Sequence, residues 1–232
     1  MNKTTMIGAA ALVMSAQALA TVSVSTYDDL GEGFYGTTYH YNGITYTDVN
    51  NVDGVFPDGG TFTAGDGVTG LGNTIIIEDA SIFYNDFPGW GSADKCLTFG
   101  SSYINGDNVS LGALSTVTML LDDNADAASL EMAYYENGPW GGIVYHLDAL
   151  MGGSVVASDS FSISDLGGRD NIALATLSVS GAEFDSLHLY ATYGADYSGP
   201  RILVDNLTLN TVPAPASAAL LGLGAAAMRR RR

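Results

Sequence analysis

Residues 36 to 49 read GTTYHYNGITYTDV, with aromatic and β-branched side chains alternating on either side of Asn42-Gly43. That dipeptide accepts the left-handed backbone angles of a two-residue hairpin loop, so it fixes a pair of strands and their register. Comparable segments follow along the chain: NTIIIEDASIFY, STVTMLL, SLEMAYY, GIVYHLDAL, SVVASDSFSI, IALATLSVS, FDSLHLYATY and RILVDNLTLN. Each is bounded by Gly, Asn, Asp or Pro clusters, which break strands for distinct steric reasons. In SLHLYATY, Leu187, Leu189 and Ala191 share one face while His188, Tyr190 and Thr192 share the other. That period of two belongs to a sheet with one buried side. No window of the body sustains helical spacing. With 29 glycines and aromatic-rich strands, the pattern predicts an all-β fold, an antiparallel two-sheet sandwich of jelly-roll type.

One domain is expected over residues 21–211, since no linker divides the body and no unit repeats. The glycine-rich stretch 56–72 is expected to be a long loop. Twenty-five acids face eight bases, and five of those bases lie at the ends: Lys3, Arg229, Arg230, Arg231 and Arg232. The body keeps Lys95, Arg169 and Arg201 against all 25 acids, a formal charge of −22. Such a body repels phosphate backbones and anionic headgroups, which excludes nucleic acid as a partner. Calcium, other cations and neutral polysaccharide remain permissible. Arg169 and Arg201 are each expected to pair with a carboxylate. The single cysteine, Cys96, forms no internal disulfide and is expected to be a buried, inert thiol.

The two ends carry addresses. Lys3, the apolar run Met6 to Met14 and the small-x-small pattern Ala18-Leu19-Ala20 form a secretion signal over residues 1–20, with Thr21 as the first mature residue. Residues 212–232 join Val212, Pro213, Ala214 and Pro215 to the apolar segment Ala216–Met228, and end on Arg229, Arg230, Arg231 and Arg232. As a helix the apolar segment covers about 20 Å, short of a roughly 30 Å hydrocarbon core, so transient inner-membrane anchoring is expected rather than a durable span. The arginines hold that terminus on the cytoplasmic side.

Taken whole, this tail resembles the PEP-CTERM sorting signal. The resemblance implies processing by an exosortase, a membrane transpeptidase-like enzyme of Gram-negative bacteria that make extracellular polysaccharide. The usual motif reads Pro-Glu-Pro; here Ala214 holds the middle position, as in planctomycete-type Val-Pro-x-Pro variants. The block from Thr98 to Asn210 also resembles a β-rich body of secreted planctomycete proteins with this tail, a likeness that brings no activity.

Candidate chemistry in the body is sparse. His40 and His188 fall inside alternating strand patterns, and His146 shares a face with Asp148; all three are read as structural. No nucleophile elbow or zinc-binding His pair occurs. The glutamates Glu32, Glu78, Glu131, Glu136 and Glu183 form no paired array of the kind a retaining glycosidase needs. Asp122 and Asp123 are expected in a polar turn. Neither DVNNVDG (48–54) nor DDNADA (122–127) matches a calcium loop. Asp28 and Asp29 near the start and Asp205 near the end are the candidates for a structural calcium, since carbohydrate-binding jelly rolls often join the first loop to the last strand through one. Trp90 and Trp140, each on a Gly-Pro loop, have two readings: an aromatic face for a sugar, extended by Tyr134, Tyr135, Tyr193 and Tyr197, or an inward-folded plug. The expected product is a non-catalytic exported surface or matrix protein that contacts polysaccharide. A secreted glycan hydrolase and a purely structural acidic coat protein are the alternatives.

Overall fold

The computed structural model describes residues 20–51, 54–55, 61–62, 75–80, 90–92, 94–99, 103–104, 108–109, 115–136, 143–163, 171–193 and 201–212. The leader up to residue 19, including Ala18, lies outside them. So do Trp140, Arg169, Tyr197 and the tail from Pro213 onward, with Ala214, Pro215, Arg229, Arg230, Arg231 and Arg232. Among the described residues no helix is long and apolar enough to cross a membrane.

Eleven strands form one antiparallel sheet. In chain order they are β1 (Thr21–Ser25), β2 (Gly33–Gly36), β3 (Tyr39–Tyr41), β4 (Ile44–Asn51), β5 (Ile75–Asp79), β6 (Lys95–Phe99), β7 (Ser115–Glu136), β8 (Ile143–Met151), β9 (Ser154–Ile163), β10 (Asn171–Tyr193) and β11 (Arg201–Thr211). Two short ribbons, 54–55 with 61–62 and 103–104 with 108–109, stand apart from it. The Asn42-Gly43 hairpin forms as expected: both residues have positive φ, and Tyr41 pairs with Ile44 across the turn.

Two strands differ from expectation, and they shape the molecule. STVTMLL and SLEMAYY are not separate strands but parts of the 22-residue β7, and IALATLSVS and FDSLHLYATY are parts of the 23-residue β10. The polar DDNADA segment, expected as a turn holding Asp122 and Asp123, is a bulged corner within β7. Its pairing with β10 shifts register between Leu120 and Ala125 and again between Ala125 and Ala127. Buried positions accordingly change parity, from Val117, Met119 and Ala125 to Ala128, Leu130 and Met132. Because side chains alternate, a bulge is what lets one strand bend and still face the core on both sides of the bend. Gly181, at φ +95°, supplies the matching irregularity in β10.

The bend divides the sheet into two halves. The front half runs β9, β8, the second part of β10, the first part of β7, β4 and β3. The back half runs from the first part of β10 through the second part of β7 to β11; beyond β11 come β1 along one stretch and β6, β5 and β2 along the other. One buried cluster joins Ile44, Met119 and Leu189 of the front to Ile75, Leu130 and Leu207 of the back. Each such side chain contributes about 1.5–3 kcal/mol on burial. Tyr27, fully buried at φ +62°, ties the two halves: its hydroxyl shares a 2.9 Å hydrogen bond with that of Tyr46. At one sheet edge Asp159 Oδ2 accepts the backbone N–H of Ser178 at 2.8 Å, capping a donor that a free edge would leave exposed.

Candidate functional site

The solvent side of the front half carries a row of planar rings. Alternation places His146 and Asp148 on β8, and His188, Tyr190 and Thr192 on β10, opposite the buried Tyr145, Leu147, Leu187 and Leu189. Strand register sets His146 across from Tyr190 and Asp148 across from His188. The His146 and Tyr190 rings stack with centroids 4.8 Å apart, and those of His188 and Tyr190 with centroids 4.6 Å apart. Threonine hydroxyls hold the outer rings: His188 Nε2 lies 2.6 Å from Thr116 Oγ1, and His146 Nε2 lies 2.8 Å from Thr192 Oγ1. Asp148 accepts the Tyr190 hydroxyl. Exposed Ser158 and Ser160 on β9 face Asp148 and His146 and widen the polar surface.

A bulge completes the other flank. Between the pairs Thr116–Asn50 and Thr118–Thr47, one residue of β7 (Val117) opposes two of β4 (Asp48 and Val49), and Asp48 has φ +52°. Its charge reaches His188, as does that of Asp148. Burial nonetheless dominates and pushes His188 below the usual imidazole range. Burial and the nearby Asp148 raise the Tyr190 phenol. The row thus sets a desolvated imidazole and a raised phenol beside carboxylates at its margins.

Thr116, His188 and Asp148 have the outline of a nucleophile, a base and an orienting acid. Two features oppose that chemistry. Asp148 engages Tyr190, which leaves the imidazole unoriented by it. β10 is also paired on both sides here, so its ladder uses the backbone N–H groups that an oxyanion would need. Ring edges, hydroxyls and carboxylates suit hydrogen bonding to a polyhydroxylated, uncharged ligand.

On the solvent side of the back half the corresponding surface is sealed. Trp90 is 5% exposed and packs with Ala80, Cys96, Ala133 and Leu203 in a second buried cluster. Of the two readings of Trp90, the sugar-facing one is corrected and the inward-folded plug stands: burying a large aromatic against four apolar neighbours is the stronger effect. Carboxylates clamp the segment that carries it. Glu131 Oε2 accepts the Gly91 N–H at 2.7 Å, and Asp205 Oδ2 accepts the Ser92 N–H at 2.8 Å and its hydroxyl at 3.0 Å. Asp28 Oδ1 lies 3.0 Å from the same hydroxyl, whose one proton the two carboxylates share, and accepts the Lys95 N–H at 3.0 Å. Gly91 has φ +68°, and a Cβ there would meet Asp205 Oδ2 at 2.5 Å, so only glycine fits. Burial raises the Asp205 carboxyl to about 6 despite these donors, and Asp28 adds to the rise. Burial likewise pushes the Cys96 thiol up, so it is buried and inert as expected.

Asp28 and Asp205 do meet, through Ser92, but as acceptors for protein donors. Asp29 points elsewhere and accepts the Tyr41 hydroxyl at 2.6 Å. Among the described residues no group of three or more His, Cys, Asp or Glu is arranged to hold a metal ion. The three-aspartate calcium site is corrected accordingly: N–H and O–H groups already occupy the inward-facing oxygens of the two that meet. Tyr134, Tyr135, Tyr193 and Arg201 lie in strands, but their side chains are outside the described set. A separate groove of about 240 Å³, bordered by Val22, Ala127, Ser129, Ser178, Ser180 and Asn210, offers small side chains and no ring.

No family model matches the sequence, and no curated protein is similar to it. Among solved structures, a cleaved adhesin domain of Lys-gingipain superposes with a TM-score of 0.47 at 14% identity, over 82% of this chain and 100% of that one. A second adhesin domain of Lys-gingipain, from Porphyromonas gingivalis, gives 0.41 at 9%, over 82% and 98%. A carbohydrate-binding module of Caldicellulosiruptor saccharolyticus, in complex with mannohexaose, gives 0.42 at 12%, over 82% and 97%. At these values the likeness assigns neither a family nor a ligand.

Alternation placed His188 and Tyr190 on one strand face, and His146 with Asp148 on one face of another, without showing that the two faces meet. The available signal was the coincidence of His146-x-Asp148 and His188-x-Tyr190 in two strands that end up adjacent. Ser92, the hub of the sealed face, had no signal in the sequence.

Proposed function

We propose that this chain is an exported, non-catalytic protein of the cell surface or extracellular matrix that binds neutral polysaccharide through the His146–Tyr190–His188 row. Its body is a jelly-roll-like sandwich closed by the bends of β7 and β10. The Val212–Pro215 tail directs it to an exosortase-type enzyme, and its leader ends at Ala20. The observation that carries the binding reading is the row itself: three stacked rings, the outer two held by threonines, on an accessible sheet face, with carboxylates at the margin. Ring edges and hydroxyls match sugar hydroxyls, and the carboxylates, with no lysine or arginine among these named residues, disfavour phosphate or sulfate. Affinity electrophoresis through gels holding neutral mannans, glucans, galactans or xylans tests it. Retardation of the wild type, lost in Tyr190→Ala, is expected. Unretarded migration in every polysaccharide would overturn the binding reading and leave the acidic coat protein.

A further inference from the structure

The first and last strands of the body are neighbours. Thr21 lies opposite Thr211, and the Thr211 hydroxyl donates to the Thr21 carbonyl at 2.9 Å. The N–H of Val212 then donates to the Asn124 carbonyl at 2.7 Å. The chain thus enters and leaves its fold side by side, at the corner of β7. The same end gathers other turns. The Asn42 amide donates to the Val24 carbonyl at 3.0 Å, the Asp122 N–H donates to the Gly43 carbonyl at 2.9 Å, and the Gly152 N–H, in the β8–β9 turn, donates to Asp185 at 2.9 Å. Exposed Asp122, Asp123, Asp126 and Glu183 stud this exit pole. His146 lies six residues up β8 from Gly152, and at about 3.3 Å per residue the ring row stands about 20 Å from the pole.

We infer that the precursor meets the lipid bilayer with this exit pole, and that the ring row is carried outward, clear of the headgroups, while the chain is still anchored. The inference rests on the proposed reading of the leader and tail as membrane segments. Two membrane segments leaving one body from adjacent strand ends hold that end nearest the bilayer, since every other part of the body lies further along the strands from both tethers. Carboxylates at the pole also have no attraction for anionic headgroups, so the tethers alone hold it there. The surface that binds glycan would then be available before the tail is processed.

The test uses the full-length precursor in phosphatidylcholine vesicles, with a fluorophore on one introduced cysteine at a time; buried Cys96 stays unlabelled in the folded chain. Asp123→Cys reports the pole and Ser160→Cys the ring row, both at exposed positions, and Ala226→Cys reports the tail. Nitroxide on the headgroups is expected to quench the Asp123→Cys label severalfold more than the Ser160→Cys label. Nitroxide on the acyl chains is expected to quench the Ala226→Cys label. Equal quenching at the pole and the ring row, with the tail quenched, overturns the inference while leaving the anchoring reading intact. An unquenched tail overturns the anchoring reading, and the inference with it.

Discussion

The two outer faces of the bent sheet hold similar ingredients and put them to opposite use. On the front, Tyr190, two histidines and Asp148 stand half-buried, with hydroxyls around them. On the back, Trp90, Asp28, Glu131 and Asp205 turn inward on one another, and the segment 90–92 lies clamped over the sheet. The difference comes from where the aromatic sits along the chain. A ring inside an alternating strand is committed to one face by the pleat, and a paired neighbour keeps it upright. A ring on a loop is free to fold over whatever apolar surface the sheet leaves bare. Here that surface is Ala133, Leu203 and Cys96.

If the back face is a seal, Trp90→Ala should have the largest effect, a loss of about 3–5 kcal/mol in chemical denaturation. Glycan retention per folded molecule should stay at the wild-type level; a parallel loss of retention would erase the distinction between the faces. Next in size is the response to acid. The carboxyl of Asp205 rises from an ordinary 3.8 to about 6 in the fold, so between those values the native state holds a proton that the unfolded chain lacks. Its contribution is complete below the unfolded value and is lost as pH rises through about 6, by on the order of 2 kcal/mol. Melting temperature should therefore climb from pH 7 to pH 5 in the wild type and climb less in Asp205→Asn; identical slopes would refute the assignment to this group.

Smaller still in stability, but decisive for function, is Tyr190→Ala. Removing one half-exposed ring should cost about 1 kcal/mol of folding free energy and weaken glycan binding about tenfold or more. Large unfolding with unchanged binding of the remaining folded fraction would make the row structural. The smallest expected effect is that of millimolar calcium on the melting temperature of the body. With Asp29 bound to Tyr41 and the Asp28–Asp205 pair filled by Ser92, no shift should appear; a rise of several degrees that a chelator reverses would restore a metal to that face.

The sequence was legible wherever one strand's own alternation decided the outcome. Leu187, Leu189 and Ala191 are buried as read, the Asn42-Gly43 hairpin forms, and SVVASDSFSI spans β9 residue for residue. It misled where local polarity and tertiary pairing disagreed. Asp122, Asp123 and Asn124 have turn-forming side chains, yet β7 runs through them: its ladders stop at Leu121 and resume at Ala125, and a bulge absorbs the residues between. The candidate site was half visible for the same reason: each face could be assigned within its strand, but the meeting of His146 with Tyr190 depends on strand order, which spacing does not encode. Asp28 and Asp205 do meet, with the Ser92 hydroxyl between them, a contact for which spacing offered no sign.

The pairing of Thr21 with Thr211 joins residues 190 positions apart. In a chain threaded across a membrane from its amino end, the opening strand waits for the closing one, and the back half has no complete edge until the last body residue has passed. Contacts this distant in sequence are slow to form, because the whole intervening loop must be confined first. The tail follows immediately behind β11. On the proposed reading of the two ends, the fold cannot close before the tail has emerged, so the tail waits on the last strand pairing rather than the reverse.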